Sequence, residues 1–194
     1  MTKEAWRERP GVQVRIARQE ELEDPEVEYG RAGDVEEYYE PMEEKDQRAK
    51  NTLLLWEATE AGEGEKVSHL LSNAKGDGPD VHYKGPEEWT NLHTAVSEGH
   101  FYIAKLLLDN EALVDARTAS MRTALHIACI RGRLSLVKLL LNYGADINAQ
   151  DADGNTAVHF CSKYGHGELL RYLLQRDPIF YVKNAEGKTP IDVA

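Results

Sequence analysis

The sequence predicts an all-α helical solenoid, made of helix-turn-helix units joined by β-hairpin loops and preceded by an acidic N-terminal extension. Three observations predict it. Equivalent stretches begin at Thr90, Thr123, Thr156 and Thr189, each 33 residues after the one before. Glycines keep the same interval at Gly99, Gly132 and Gly165. Each full copy holds two short apolar patterns at helical spacing, and one such pair cannot bury its own face, so copies must stack.

The unit 123–155 shows why its elements form. Thr123 is placed to cap a helix by accepting a backbone N–H, worth about 1 kcal/mol. Leu125, Ala128 and Cys129 then share one face of that helix. Gly132 closes it. Leu136, Val137, Leu139, Leu140 and Leu141 make a second helix, apolar over more than one face, as an element held between neighbours must be. Gly144 ends this helix by taking a left-handed conformation at little cost. From Ala145 to Asn155, with Asp153-Gly154 as the turn signal, the chain reads as an extended hairpin leading to the next cap.

These copies resemble the ankyrin repeat, a unit of about 33 residues opening Thr-Pro-Leu-His-x-Ala. Asn91-Leu92-His93-Thr94-Ala95, Ala124-Leu125-His126-Ile127-Ala128 and Ala157-Val158-His159-Phe160-Cys161 follow three of the threonines, and Pro190-Ile191-Asp192-Val193-Ala194 follows the fourth. The resemblance covers residues 51–194: a divergent first repeat at 51–89, full repeats at 90–122, 123–155 and 156–188, and a partial last repeat at 189–194.

In chain order, residues 1–50 read as an acidic tail, disordered or extended. Between Glu20 and Asp46 stand 13 acidic residues against Arg31 and Lys45, a net of −11, which is the charge of the whole chain. So charged and apolar-poor a stretch cannot offset the entropy of ordering. Val12, Val14 and Ile16 alternate as an added strand does, the alternative to disorder there. Tyr38 and Tyr39, among acids, resemble tyrosine-kinase substrates and are candidate modification sites. The plainer reading is of aromatic anchors in a solvated linker.

From about Asp46 a helix runs through Leu53, Leu54, Leu55, Trp56 and Ala58 to Gly62, opening the divergent repeat. Trp56 stands where later repeats carry His93, His126 and His159, as expected of an end repeat. Four extra residues lie between Asn73 and Trp89, a turn-rich stretch holding Gly76, Gly78, Pro79, Gly85 and Pro86. At the far end Asp192 replaces the histidine. Ile191 and Val193 lack a second helix to cover them, so either the chain continues or this copy is a frayed cap.

Little points to catalysis. The histidine trio invites a metal reading, but packed helices lie about 8–10 Å apart and zinc ligands about 2 Å from their metal. The histidines are instead expected to bond neighbouring backbone and the capping threonines. No nucleophile-base constellation stands apart from the repeat pattern, and no catalytic residue, metal or cofactor is expected. Cys129 and Cys161 read as buried free thiols. With no signal-peptide pattern, they place the chain in a reducing compartment, cytoplasmic or nuclear. No membrane span is expected, and a net charge of −11 disfavours nucleic acid.

The resemblance implies that a concave face binds a partner protein. By alignment, its positions here include Trp89 and Glu98; Arg117, Arg122, Ile130 and Arg131; Gln150, Asn155, Lys163 and Tyr164; and Lys188. The set is mainly basic, which points to a partner with an acidic segment and to contact with the chain's own acidic tail. Asn148 resembles the hairpin asparagine that an oxygen-dependent hydroxylase modifies in many ankyrin proteins. The function expected is that of an interaction adaptor or scaffold. The alternative is the recognition or regulatory arm of a larger enzyme, a kinase, phosphatase subunit or acyltransferase, whose catalytic part lies outside this chain.

Overall fold

The computed structural model describes residues 36–72, 78–176 and 178–194, with side chains from Gln47 onward. The chain divides into Met1–Glu40 and Pro41–Ala194, and of the former only the opening of α1 is described. The strand reading of Val12 to Ile16 lies outside the described residues, as do the side chains of Tyr38 and Tyr39 and the first part of the lengthened loop.

Eight α-helices occur among the described residues: α1 Glu36–Ala61, α2 Gly64–Ser72, α3 Asn91–Glu98, α4 Phe101–Asp109, α5 Ala124–Ile130, α6 Leu134–Asn142, α7 Ala157–Lys163 and α8 Gly167–Leu174. They pair as α3 with α4, α5 with α6 and α7 with α8, and first helices stack on first helices, α5 lying between α3 and α7. Helix α1 begins at Glu36, upstream of the start near Asp46 that its apolar residues alone indicate, because the acidic residues before them are themselves good helix formers.

The histidines close the N-termini of the first helices. In α5, Nδ1 of His126 receives the backbone N–H of Thr123 at 3.1 Å and lies 3.0 Å from its hydroxyl, completing a capping box. Thr90 with His93 and Thr156 with His159 repeat the arrangement. The partial last repeat does so with a carboxylate: Asp192 Oδ2 accepts both the backbone N–H and the hydroxyl of Thr189, at 2.8 and 2.7 Å. These residues form turns and no helix, which leaves Ile191 74% exposed.

Three of the glycines at the first-helix ends combine a left-handed backbone with a close neighbour. Gly132 has φ +66°, and a Cβ there would stand 2.7 Å from the His166 ring. Gly62 and Gly99 are covered in the same way by His100 and Arg133. Each repeat thus lays the long side chain that opens its second helix over the left-handed turn of its predecessor.

The core follows the same register. Leu107, Leu140 and Leu173 are fully buried, as are Ala95, Ala128 and Cys161 on the first helices. Full burial of a leucine contributes roughly 1.5–3 kcal/mol. In the first repeat Trp56 packs on Gly85, where a Cβ would come within 2.8 Å of its ring, and meets Tyr83 edge-on at 6.2 Å. An aromatic contact there replaces the histidine's polar reach.

The hairpins differ from the expectation of extended arms. No strand is assigned among the described residues, and the one bridge is Lys84 with Thr90. Turns form instead, tied across repeats by one backbone hydrogen bond each: Ala119 N–H to Glu87 O, Ala152 to Ser120 and Ala185 to Asp153, at 2.8, 3.0 and 2.8 Å.

Candidate functional site

Among the described residues, the first helices and hairpin turns border two clefts that share one residue, Arg122. The smaller, about 200 Å³, lies between the turns holding Glu87 and Ser120 and the C-terminal half of α5, with Trp89, Ile127, Ile130 and Arg131 among its walls. The larger, about 470 Å³, is bounded by Phe160, Lys163 and Tyr164 of α7 and its C-terminal neighbour, by Asn155, and by the turn Asn184 to Lys188, with Asp192 closing one end.

Eight of the eleven face positions chosen by alignment therefore line a cleft: Trp89, Arg122, Ile130, Arg131, Asn155, Lys163, Tyr164 and Lys188. Glu98, Arg117 and Gln150 line neither. Arg117 and Gln150 hold adjacent repeats together, the guanidinium donating to the Gln150 carbonyl at 3.2 Å. Glu98 is the exposed last residue of α3.

The face is mixed in charge rather than mainly basic. Asp153, Glu186 and Asp192 stand in the larger cleft with Arg122, Lys163 and Lys188. Lys188 pairs with Glu186 at 2.8 Å. Arg122 Nε lies 3.5 Å from Asp151 Oδ2, and its guanidinium carbon lies 5.4 Å from the Phe160 ring centroid. Arg131 meets a neutral partner, donating to Ser97 Oγ at 3.3 Å. Arg131 and Lys163 form no ion pair among the described residues. The alignment counted cations but could not see which carboxylates the turns bring to them.

Asp151 is the residue that alignment missed. Its side chain is 1% exposed, and its Oδ1 accepts the backbone N–H groups of Asp153 and Asn155 at 3.0 and 2.8 Å. Thr118 and Asn184 occupy the aligned positions and also bond their own turns. The signal was present as three short polar side chains at the repeat interval, the residue types that bond locally to backbone in turns. Ile127 and Phe160 were missed because helical periodicity marks them only as core.

The histidines beside the clefts are neutral by construction. Nε2 of His126 bonds the Ala149 carbonyl at 2.9 Å, and that of His159 the Lys188 carbonyl at 3.2 Å. With Nδ1 accepting from threonine, Nε2 carries the proton in this network. Burial is the main cause that lowers the pKa of both. His93, whose Nε2 has no hydrogen-bond partner among the described residues, is pushed down chiefly by burial to about 4.

Asn148 is also engaged. Its Oδ1 accepts the Ile179 N–H at 2.8 Å, tying its hairpin to the next repeat. Asp115 does the same for the Asp146 N–H, at 3.1 Å. No group of three or more metal-ligating side chains gathers among the described residues, and no helix among them is long and apolar enough to cross a membrane.

Comparison with known proteins finds the repeat family. A family model described as ankyrin repeats in three copies matches residues 54–151, and one described as a single ankyrin repeat matches 153–184. A search of curated proteins finds no match. Ankyrin repeats are in general modules of protein–protein interaction. The two matches take in the stacked helices, the capping boxes and both clefts' walls over most of their length, and the chain belongs to the ankyrin repeat family.

Proposed function

We propose that this protein is an adaptor that binds a partner protein through the face formed by its first helices and hairpin turns, working in the cytoplasm or nucleus and without catalysis of its own. The observation that carries the reading is the convergence on two adjoining clefts of side chains that lie at aligned positions of successive repeats. Tyr164 is 48% exposed and Trp89 and Ile130 half-buried, so apolar anchors stand beside cations at the surface, the composition of interface hot spots. The test is affinity capture with the full chain and with an Arg131→Glu, Lys163→Glu variant, compared by quantitative mass spectrometry. The expected result is loss of a defined set of proteins from the variant. Recovery of the same proteins in equal amount by both would overturn the assignment of this face.

A further inference from the structure

Left-handed backbone recurs at one position of every hairpin turn, but glycine does not. Gly154 and Gly187 hold it in the later turns with φ +75° and +76°, whereas the aligned residues in the earlier turns are Met121, φ +59°, and Glu88, φ +60°. Glu87, beside Glu88, is also left-handed at φ +55°. Such a conformation is unfavourable for residues bearing a Cβ, and most so for bulky ones. The same sequence supplies glycine at this turn position twice, so methionine and glutamate hold it here at a cost in backbone strain. The two turns that hold them flank the smaller cleft, to which they contribute Glu87 and Ser120. Met121 is 43% exposed at the tip of its turn.

The cleft between them has a definite chemistry. Trp89, Ile127 and Ile130 give it an apolar wall, and the Arg131 guanidinium, held only by the Ser97 hydroxyl, is a cation without an ion pair among the described residues. Its volume of about 200 Å³ suits one large side chain rather than a folded surface. Glu87 stands on the turn side, opposite Arg131 on the helix side.

We propose that this cleft, with the Met121 and Glu88 turn tips at its rim, is the specificity site of the interaction face, and that it takes a partner-protein segment presenting a large apolar side chain next to a carboxylate. The apolar group enters between Trp89 and Ile130, the carboxylate meets Arg131, and Met121 adds contact at the rim at a cost in backbone strain. This rests on the interaction reading above and narrows it to one cleft.

The test uses a random peptide library displayed on phage, selected against the full chain, with recovered peptides measured by fluorescence anisotropy on variants. Recovered sequences are expected to pair a large apolar residue with Asp or Glu. Ile130→Ala and Arg131→Ala are each expected to weaken binding by about tenfold. Met121→Gly separates strain from contact: it should raise the unfolding midpoint and weaken binding several-fold. Glu111→Gly is the control, because Glu111 has φ +64° at the end of α4, away from both clefts; it should raise the midpoint and leave affinity unchanged. Peptides without an acid, or binding that ignores Ile130, Arg131 and Met121, would overturn the proposal. If such peptides respond instead to Lys163→Ala or Tyr164→Ala, the face stands and only this cleft falls; if they respond to neither set, both readings fail.

Discussion

At the scale of single residues, the repeat histidine acts as a neutral capping group, and its chemistry sets a pH dependence. His93 has its pKa lowered from 6.5 to about 4 by burial, and His126 and His159 are lowered for the same first cause. A group whose folded pKa lies below its unfolded value binds protons more readily when unfolded, so stability rises with pH through that window. The stabilisation is complete above about pH 6.5 and is lost as pH falls toward 4. For His93 the shift corresponds to roughly 3 kcal/mol, at 1.36 kcal/mol per pH unit. Nuclear magnetic resonance titration is expected to show the His93 ring unprotonated at pH 5.5, with the unfolding midpoint falling between pH 6.5 and 4. A ring titrating near 6.5 would contradict the burial argument. The cysteines give a second residue-scale prediction. Cys129 and Cys161 are fully buried free thiols, and burial, then the neighbouring Cys161 thiol, pushes the Cys129 pKa well up. Because thiolate and access are both needed for reaction, iodoacetamide should label neither in the native protein and both in denaturant. Rapid native labelling would place at least one thiol at the surface.

At the scale of elements, the hairpin turn is where sequence and structure part. Helices α3 to α8 were legible because leucines at helical spacing and left-handed glycines recur at fixed intervals, and Thr123 and His126 fall where a cap belongs. The turns were legible in position but not in detail. Their backbone is tied by single inter-repeat bonds and by side chains such as Asp151, which bonds its own turn and also meets Arg122 of the preceding one, a partner invisible to local patterns. The charge of the face was misread for the same reason, since Glu186 reaches Lys188 only through the turn geometry. Asn148 is the sharpest case, because its motif indicates a hydroxylation site while its geometry shows a strut to the Ile179 N–H. Asn148→Ala should therefore cost about 1 kcal/mol, the net worth of one hydrogen bond, measured by urea unfolding. No measurable loss would mean that the strut is idle. The modification reading has its own outcome: incubation with an oxygen-dependent asparaginyl hydroxylase should add one oxygen at Asn148, seen by peptide mass, and an unchanged mass would dismiss it.

At the scale of the repeat array, stability in a solenoid approximates a sum of unit terms and nearest-neighbour interfaces, so equal substitutions in different units should not cost the same. Helix α5 has neighbours on both sides, and α6 packs beside α5 and against α4. Leu140 on α6 is fully buried, whereas Leu53 on α1 is 46% exposed. Truncating a buried leucine loses its transfer energy and leaves a cavity, about 2–5 kcal/mol, while a surface change of this kind stays within about 0.5 kcal/mol. Leu140→Ala is thus expected to lower stability several times more than Leu53→Ala in chemical denaturation. Hydrogen exchange should agree. From the end of α8 onward the chain bares Leu174, Ile179, Phe180 and Tyr181, from 39% to 71% exposed, and burial of apolar neighbours is what holds amides closed. Protection should therefore be greatest in α5 and α6 and decline through α8. Equal losses for the two leucines, or greater protection in α8 than in α6, would mean that the repeats are not coupled through the register of Leu107, Leu140 and Leu173, and that each helix pair holds its core alone.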